Sequence, residues 1–215
     1  MECRRRDYRR RAANIDGGLH RQRRIAHDRA LTRAREPLAR FLDEIAGLGP
    51  TLGPLLVQLP PSFAFEPRRV GRFLRLLRSL HAGPVVCEPR HFTWASPSAT
   101  RMLESFKVAR VAADPPRAAG LDAPGAWGEM VYYRWHGSSR PYISPYDAAA
   151  LDRLAAAIRA VSVDAWSIFD TTGSGAAAGN ALDLTSRLGA NLDAAPKAAS
   201  SPLPPPRRPA RRTRA

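Results

Sequence analysis

The side chains best able to do chemistry in this chain sit in short groups, each just past an apolar run. Glu88, Arg90 and His91 follow Pro84-Val-Val-Cys87. A carboxylate there can act as a general base, an arginine can clamp a carboxylate or phosphate, and an imidazole can exchange protons near neutral pH. A Glu88–Arg ion pair that merely orders a loop fits the same residues. Arg134 and His136 close the run Met130-Val-Tyr-Tyr-Arg-Trp-His136. On a strand they share a face with Tyr132, while Tyr133 and Trp135 take the other. An arginine buried on that face must be paired or must meet an anion. Glu88, Asp114 and Asp170 are the available partners, and an internal salt-bridge network without ligand is the competing reading. Tyr142 and Tyr146, in the next loop, are placed to cover the mouth or to be ordinary surface aromatics.

Asp114 and Asp170 also end apolar runs. With Glu88, His91 and His136 they offer a divalent-metal donor set, but no His-x-x-x-His, Cys pair or calcium loop accompanies them, so no metal is assigned. Gly173-Ser-Gly175-Ala-Ala-Ala-Gly179 joins a strand to a helix and could capture an anion on free N–H groups. It is one residue too long for the dinucleotide fingerprint, which removes NAD; the cofactor is left unknown. Asn180 faces this loop as a cap or ligand contact, with close packing as the competing reading. Cys87 lies in a buried strand, where a thiol is inert.

These groups need elements to hold them. Helices are predicted over about Arg35–Ala46, Pro67–Leu80, Pro97–Phe106, Ser144–Ala160 and a closing stretch to Leu188. Val70, Phe73, Leu74 and Leu77 repeat at i, i+3, i+4, i+7 in the second of them. In the fourth, Ser144-Pro145-Tyr146-Asp147 reads as an N-cap serine followed by a first-turn proline. Apolar runs at Pro54–Leu59, Pro84–Cys87, Val108–Ala113, Met130–His136 and Ala165–Phe169 alternate with them as strands. That alternation means βαβ units and a parallel sheet, an α/β fold. In such folds, sites form at the C-terminal ends of the strands, where the ionisable groups fall.

The chain has 215 residues, with 34 Lys+Arg against 19 Asp+Glu and a net charge of +15. The charge is concentrated at the ends: residues 1–24 carry nine Arg against three acids, and residues 197–215 carry six basic residues and no acid. The expected organisation is an Arg-rich disordered leader over 1–25, a folded domain over 26–190, and a Pro/Arg-rich disordered tail over 191–215. Nucleic acid is expected to bind the tails nonspecifically if at all. No run is long enough for a membrane span, and no apolar stretch follows the basic N-terminus, so a cytoplasmic location is expected.

Four stretches, LGPLLVQLPPSFAFEPRRVGRFL (Leu52–Leu74), CEPRHFTW (Cys87–Trp94), VYYRWHG (Val131–Gly137) and WSIFDTTGSGAAAGNAL (Trp166–Leu182), resemble domain-of-unknown-function family 72, the YecE-like family. AHDRALTRAREPLARFL, from Ala26, is similar to it too. The resemblance covers about residues 26–189 and implies a TIM-type (β/α)8 barrel without an established activity. Its glycine-rich first strand and aromatic-rich second unit have no counterpart here. The expectation is therefore a partial barrel of about five parallel βα units, a C-terminal portion that self-associates through open edges. Relatives often carry an amide where this chain has Thr171.

The functional expectation is a barrel enzyme, hydrolase or isomerase, acting on an anionic or phosphorylated small molecule. His136, Glu88 and Asp170 would be catalytic; Arg90, His91, Arg134, Asp114, Tyr142 and Asn180 would bind substrate. The alternative is a truncated, inactive fragment whose basic tails bind polyanions.

Overall fold

The computed structural model describes residues 31–189 and the backbone of residues 11–14. The tails expected to be disordered lie outside the described residues, except that Arg11–Asn14 forms strand β1 within the leader. There follow α1 (Arg35–Ile45), β2 (Leu52–Gln58), α2 (Pro67–Leu80), β3 (Val85–Glu88), α3 (Pro97–Ser105), β4 (Val108–Arg110) and β5 (Ala112–Asp114). A two-residue strand, β6 (Gly125–Ala126), precedes β7 (Met130–Trp135), α4 (Ala148–Arg159), β8 (Asp164–Phe169) and α5 (Ala176–Arg187).

Strands β1 to β4 pair in parallel in that order, and β5, β7 and β8 do the same. The two sheets meet at one chain run, because β4 and β5 are separated only by Val111. Val111 N–H still reaches the Cys87 carbonyl at 2.9 Å. β6 adds an antiparallel partner to β4. Among the described residues β1 and β8 each have a strand on one side only, so the arc does not close into a barrel.

Strand alternation divides the core. One face carries Leu55, Val57, Val85, Cys87 and Val108 against Leu38 of α1, Phe73 and Leu77 of α2 and Leu103 of α3. Further along, Tyr133 and Phe169 of the same face pack on Leu151 and Leu154 of α4 and Leu184 of α5. The opposite, inner face carries Leu56, Val86, Ala109, Val111, Met130 and Tyr132, flanked by Trp166 and Ile168. Both faces are apolar through the middle of the strands, as a parallel sheet covered on both sides requires.

Pro67 opens α2, where a missing N–H has no cost, and Val70, Phe73, Leu74 and Leu77 form its buried stripe as predicted. The fourth helix starts later than predicted. Asp147, not Ser144, is the N-cap of α4 and accepts from Ala150 N–H at 2.8 Å. The reason is tertiary: Asn180 accepts from Tyr146 N–H at 3.1 Å and donates to the Tyr146 carbonyl at 2.9 Å, which occupies the backbone groups a first turn would use. Ser144 is left to close the preceding loop by accepting from Arg140 N–H.

At the N-terminal ends of the strands, Arg78 in the last turn of α2 donates to the carbonyls of Phe106 (2.8 Å), Gly83 (2.6 Å) and Lys107 (2.6 Å). One guanidinium thus joins the entries of β3 and β4 to the ends of two helices. A cavity of about 620 Å³ lies beside it, walled by Leu52, Trp127, Met130 and Trp166, at the strand ends opposite to Glu88 and Arg134. No helix among the described residues is long and apolar enough to cross a membrane. Lysine keeps the charge of Arg78 but not the fork, so Arg78→Lys is expected to cost about 1–3 kcal/mol in urea unfolding. An unchanged midpoint would show that the three carbonyls are satisfied without it.

Candidate active site at the strand C-terminal rim

The inner face turns polar at its C-terminal edge, and alternation explains which residues meet there. Gln58 stands two residues beyond Leu56, Glu88 two beyond Val86, Arg134 two beyond Tyr132 and Asp170 two beyond Ile168. Gln58 and Glu88 are direct register partners. Two backbone bonds carry the ladder past the strand ends: His136 N–H to the Asp114 carbonyl at 2.8 Å, and Asp170 N–H to the Trp135 carbonyl at 2.9 Å.

Glu88 is the centre of the resulting cluster. Its Oε1 accepts from Arg90 Nε and Nη2, both at 2.9 Å, and its Oε2 accepts from Arg134 Nη1 at 2.5 Å. Arg134 Nη1 also donates to Gln58 Oε1, and Nη2 donates to Asp170 Oδ2. The His136 ring lies between the two carboxylates, with Nδ1 3.0 Å from Asp170 Oδ2 and Nε2 3.4 Å from Glu88 Oε1. These are ion-pair contacts, and neither ring nitrogen is aligned for a regular hydrogen bond.

Burial by itself would raise the Glu88 pKa, but the His136 contact and the charges of Arg134 and Arg90 outweigh it and hold the carboxyl at about 2. Burial would lower the His136 pKa, and there the contacts with Asp170 and Glu88 win and raise it. Arg134 is likewise raised against its burial by Glu88 and Asp170. With His136 protonated, the formal charge of Glu88, Asp170, Arg90, Arg134 and His136 together is +1; with it neutral, zero.

Five of the nine residues expected at the site thus converge: Glu88, Arg90, Arg134, His136 and Asp170. Tyr142 stands beside them, its ring edge-on to His136 with centroids 5.7 Å apart. Three residues go elsewhere. Asp114 registers with Trp135, on the opposite face from Arg134, and so cannot join the cluster. Its Oδ2 instead accepts from the Tyr146 hydroxyl and from Ser138 Oγ, both at 2.6 Å, while Tyr146 accepts from Gly137 N–H at 2.9 Å. Asn180 holds the backbone of Tyr146, as already described. His91 turns to Thr93, with Nδ1 2.9 Å from Oγ1, and caps the short 3-10 turn Phe92–Ala95.

Gln58, a polar residue at a strand end that is not among the nine candidates, joins the cluster. Its signal was its position, since it ends a strand two residues after an inner-face leucine. Thr171 is buried with its hydroxyl unpartnered, just past Asp170. Cys87 is on the outer face among apolar side chains, and burial pushes its thiol up. Among the described residues no group of three or more His, Cys, Asp or Glu side chains could hold a metal ion. The Arg134 guanidinium lies between Glu88 and Asp170.

A parallel α/β arc with its ionisable groups gathered at the strand C-terminal rim has the layout of proteins whose sites lie at that edge. The chain belongs to the family described as protein of unknown function DUF72, whose model matches residues 19–207. Its fold is similar to that of a DUF72 family protein from Thermotoga maritima, with a TM-score of 0.68 at 22% identity over 83% of this chain and 73% of that one. A DUF72 family protein from Enterococcus faecalis is also similar, with a TM-score of 0.65 at 20% identity over 79% of this chain and 71% of that one. No curated protein matches the chain.

Glu88 and His136 both stabilise the fold, with opposite dependence on pH. The lowered Glu88 pKa stabilises the fold above the ordinary carboxylate range, and this is lost as pH falls toward about 2. The raised His136 pKa stabilises it below the ordinary imidazole value, and this is lost as pH rises through the folded value. NMR titration should therefore show His136 still protonated where free imidazole is neutral, and Glu88→Gln should bring its pKa down. A His136 that titrates identically in both proteins would refute the coupling.

Proposed function

We propose that this rim is an acid–base site for an anionic small molecule, in a chain whose arc of strands is part of a TIM-type barrel. The barrel reading is supported by the parallel pairing of β1 to β4 and of β5, β7 and β8, with only the two-residue β6 antiparallel, and by the interior-type packing of the inner face.

The observation that carries the functional reading is the imidazole held between two carboxylates. An imidazolium stabilised in this way is a poised general acid, able to give a proton to a leaving group or to an enolate. Glu88 remains ionised and keeps the imidazole charged and oriented. Arg134 donates to Gln58, Glu88 and Asp170, so its main role is to neutralise the buried carboxylates. Asp170, with a side chain 21% exposed, is the most open of the five, and Arg90 follows at 11%. An incoming anion would meet Arg90 first and be held by the positive charge that protonated His136 leaves on the cluster. Proton transfer of this kind serves hydrolysis and isomerisation alike, and both reaction classes belong to the proposal.

Inorganic phosphate and sulfate test the anion site directly. Calorimetric titration should detect binding that weakens as pH rises through the His136 pKa. Arg90→Gln with His136→Gln together should weaken it about tenfold or more, equivalent to about 1.4 kcal/mol. Affinity undiminished in the double variant would sink the reading.

A further inference from the structure

We infer that Tyr142 is a gate on His136: its ring closes the mouth in this structure and must swing aside before any ligand can touch the imidazole. The inference rests on the acid–base reading for its purpose, but its geometry stands independently. His136 is fully buried and Glu88 almost so. A proton donor sealed from solvent cannot reach a substrate unless something covering it moves. Tyr142 is the aromatic packed on His136 that also meets water, being 42% exposed.

The backbone of Tyr142 carries a second mark. Its φ is +67°, in the left-handed region that disfavours a residue with a β-carbon. An exposed loop residue there is ordinarily glycine or asparagine, and a tyrosine persists only where its surroundings hold it. Here they do so from two sides. Tyr142 N–H donates to the His136 carbonyl, and the Tyr142 carbonyl accepts from Gly173 N–H at 2.9 Å. The residue is therefore pinned between the end of β7 and the turn that follows β8. Two glycines permit the approach. A β-carbon at Gly173 would lie 2.9 Å from the Tyr142 carbonyl oxygen, and one at Gly137 would lie 2.9 Å from that of Arg140.

The loop between them is tied on itself, with Ile143 and Ser144 N–H groups both donating to the Arg140 carbonyl. Little of the Tyr142 ring is spent on the core, and its packing partner is the imidazole. A two-point backbone latch thus places an exposed ring beside a buried titratable group. Ile143, equally exposed next to it, would offer apolar surface to a ligand that displaces the ring.

Modification of histidine by diethyl pyrocarbonate, mapped by mass spectrometry on the full chain, reads access to each imidazole. Rates followed across pH separate titration from access, because the plateau at high pH reports access alone. In the unaltered protein His136 should react far more slowly than half-buried His91. Y142G, which suits the left-handed backbone, should raise the His136 plateau rate about tenfold or more, a change of about 1.4 kcal/mol in opening, and leave His91 unchanged. Y142F should behave like the unaltered protein. If Y142G instead unfolded the protein, both histidines would accelerate together, and Y142N repeats the comparison in a residue that also tolerates positive φ. Equal His136 rates with and without the ring would overturn the gate. Accelerated His136 without phosphate binding would retain the gate and reject the acid–base site. Phosphate binding with His136 equally protected in every variant would do the reverse.

Discussion

Withdrawing a guanidinium from water costs several kcal/mol unless carboxylates receive it, and the inner face of this sheet withdraws Arg134 almost completely. That single requirement organises the rim. Glu88 and Asp170 supply the charge, Gln58 takes a remaining N–H, and each must stand at the end of its own strand to do so. Glu88 in turn is a buried carboxylate that one arginine does not satisfy. Arg90 and His136 complete its shell. Removing any partner would strand an opposite charge in a low-dielectric setting, which is why these groups behave as one unit rather than as separate pairs.

The cluster depends on a scaffold that is mostly apolar and a second polar network that is not. Tyr146 connects the end of β5, through Asp114, to the Gly137 backbone just beyond His136, and Asn180 of α5 fixes Tyr146. Its hydrogen bonds run to Ser138 and to backbone groups, and they fix where the β7 loop leaves the sheet. The Tyr142 latch and the placement of His136 both follow from it. At the other end of the strands Arg78 does comparable work for the entry loops, with backbone carbonyls in place of carboxylates.

Much of this was legible before the structure. The stripe of α2, the five apolar runs and the shared face of Tyr132, Arg134 and His136 all follow from the periods 3.6 and 2, which are local properties. Asp114 illustrates where local reading fell short. It ends an apolar run like Asp170 does, but it sits one position out of phase with Arg134 across the register, and one position reverses the face. His91 and Asn180 looked like ligand contacts because they are polar and near strand ends. In the structure His91 Nδ1 meets Thr93 and Asn180 bonds the Tyr146 backbone, partners that are either very near or far away in sequence. Ser144 is a sound N-cap by type, but a bond from a residue 34 positions away from Tyr146 displaced the helix start.

What this sequence determined by itself was the kind and order of its elements, the family resemblance carried by its motifs, and the gathering of ionisable residues at strand ends. Hydrophobic period and turn chemistry act over a few residues, so they can be read without knowing the fold. The tertiary structure decided which of those ionisable groups touch, that Glu88 is held ionised, and that a tyrosine in a left-handed conformation packs on the histidine. Those outcomes depend on strand register and on burial, and both are settled only when residues distant in the chain exclude water from one another.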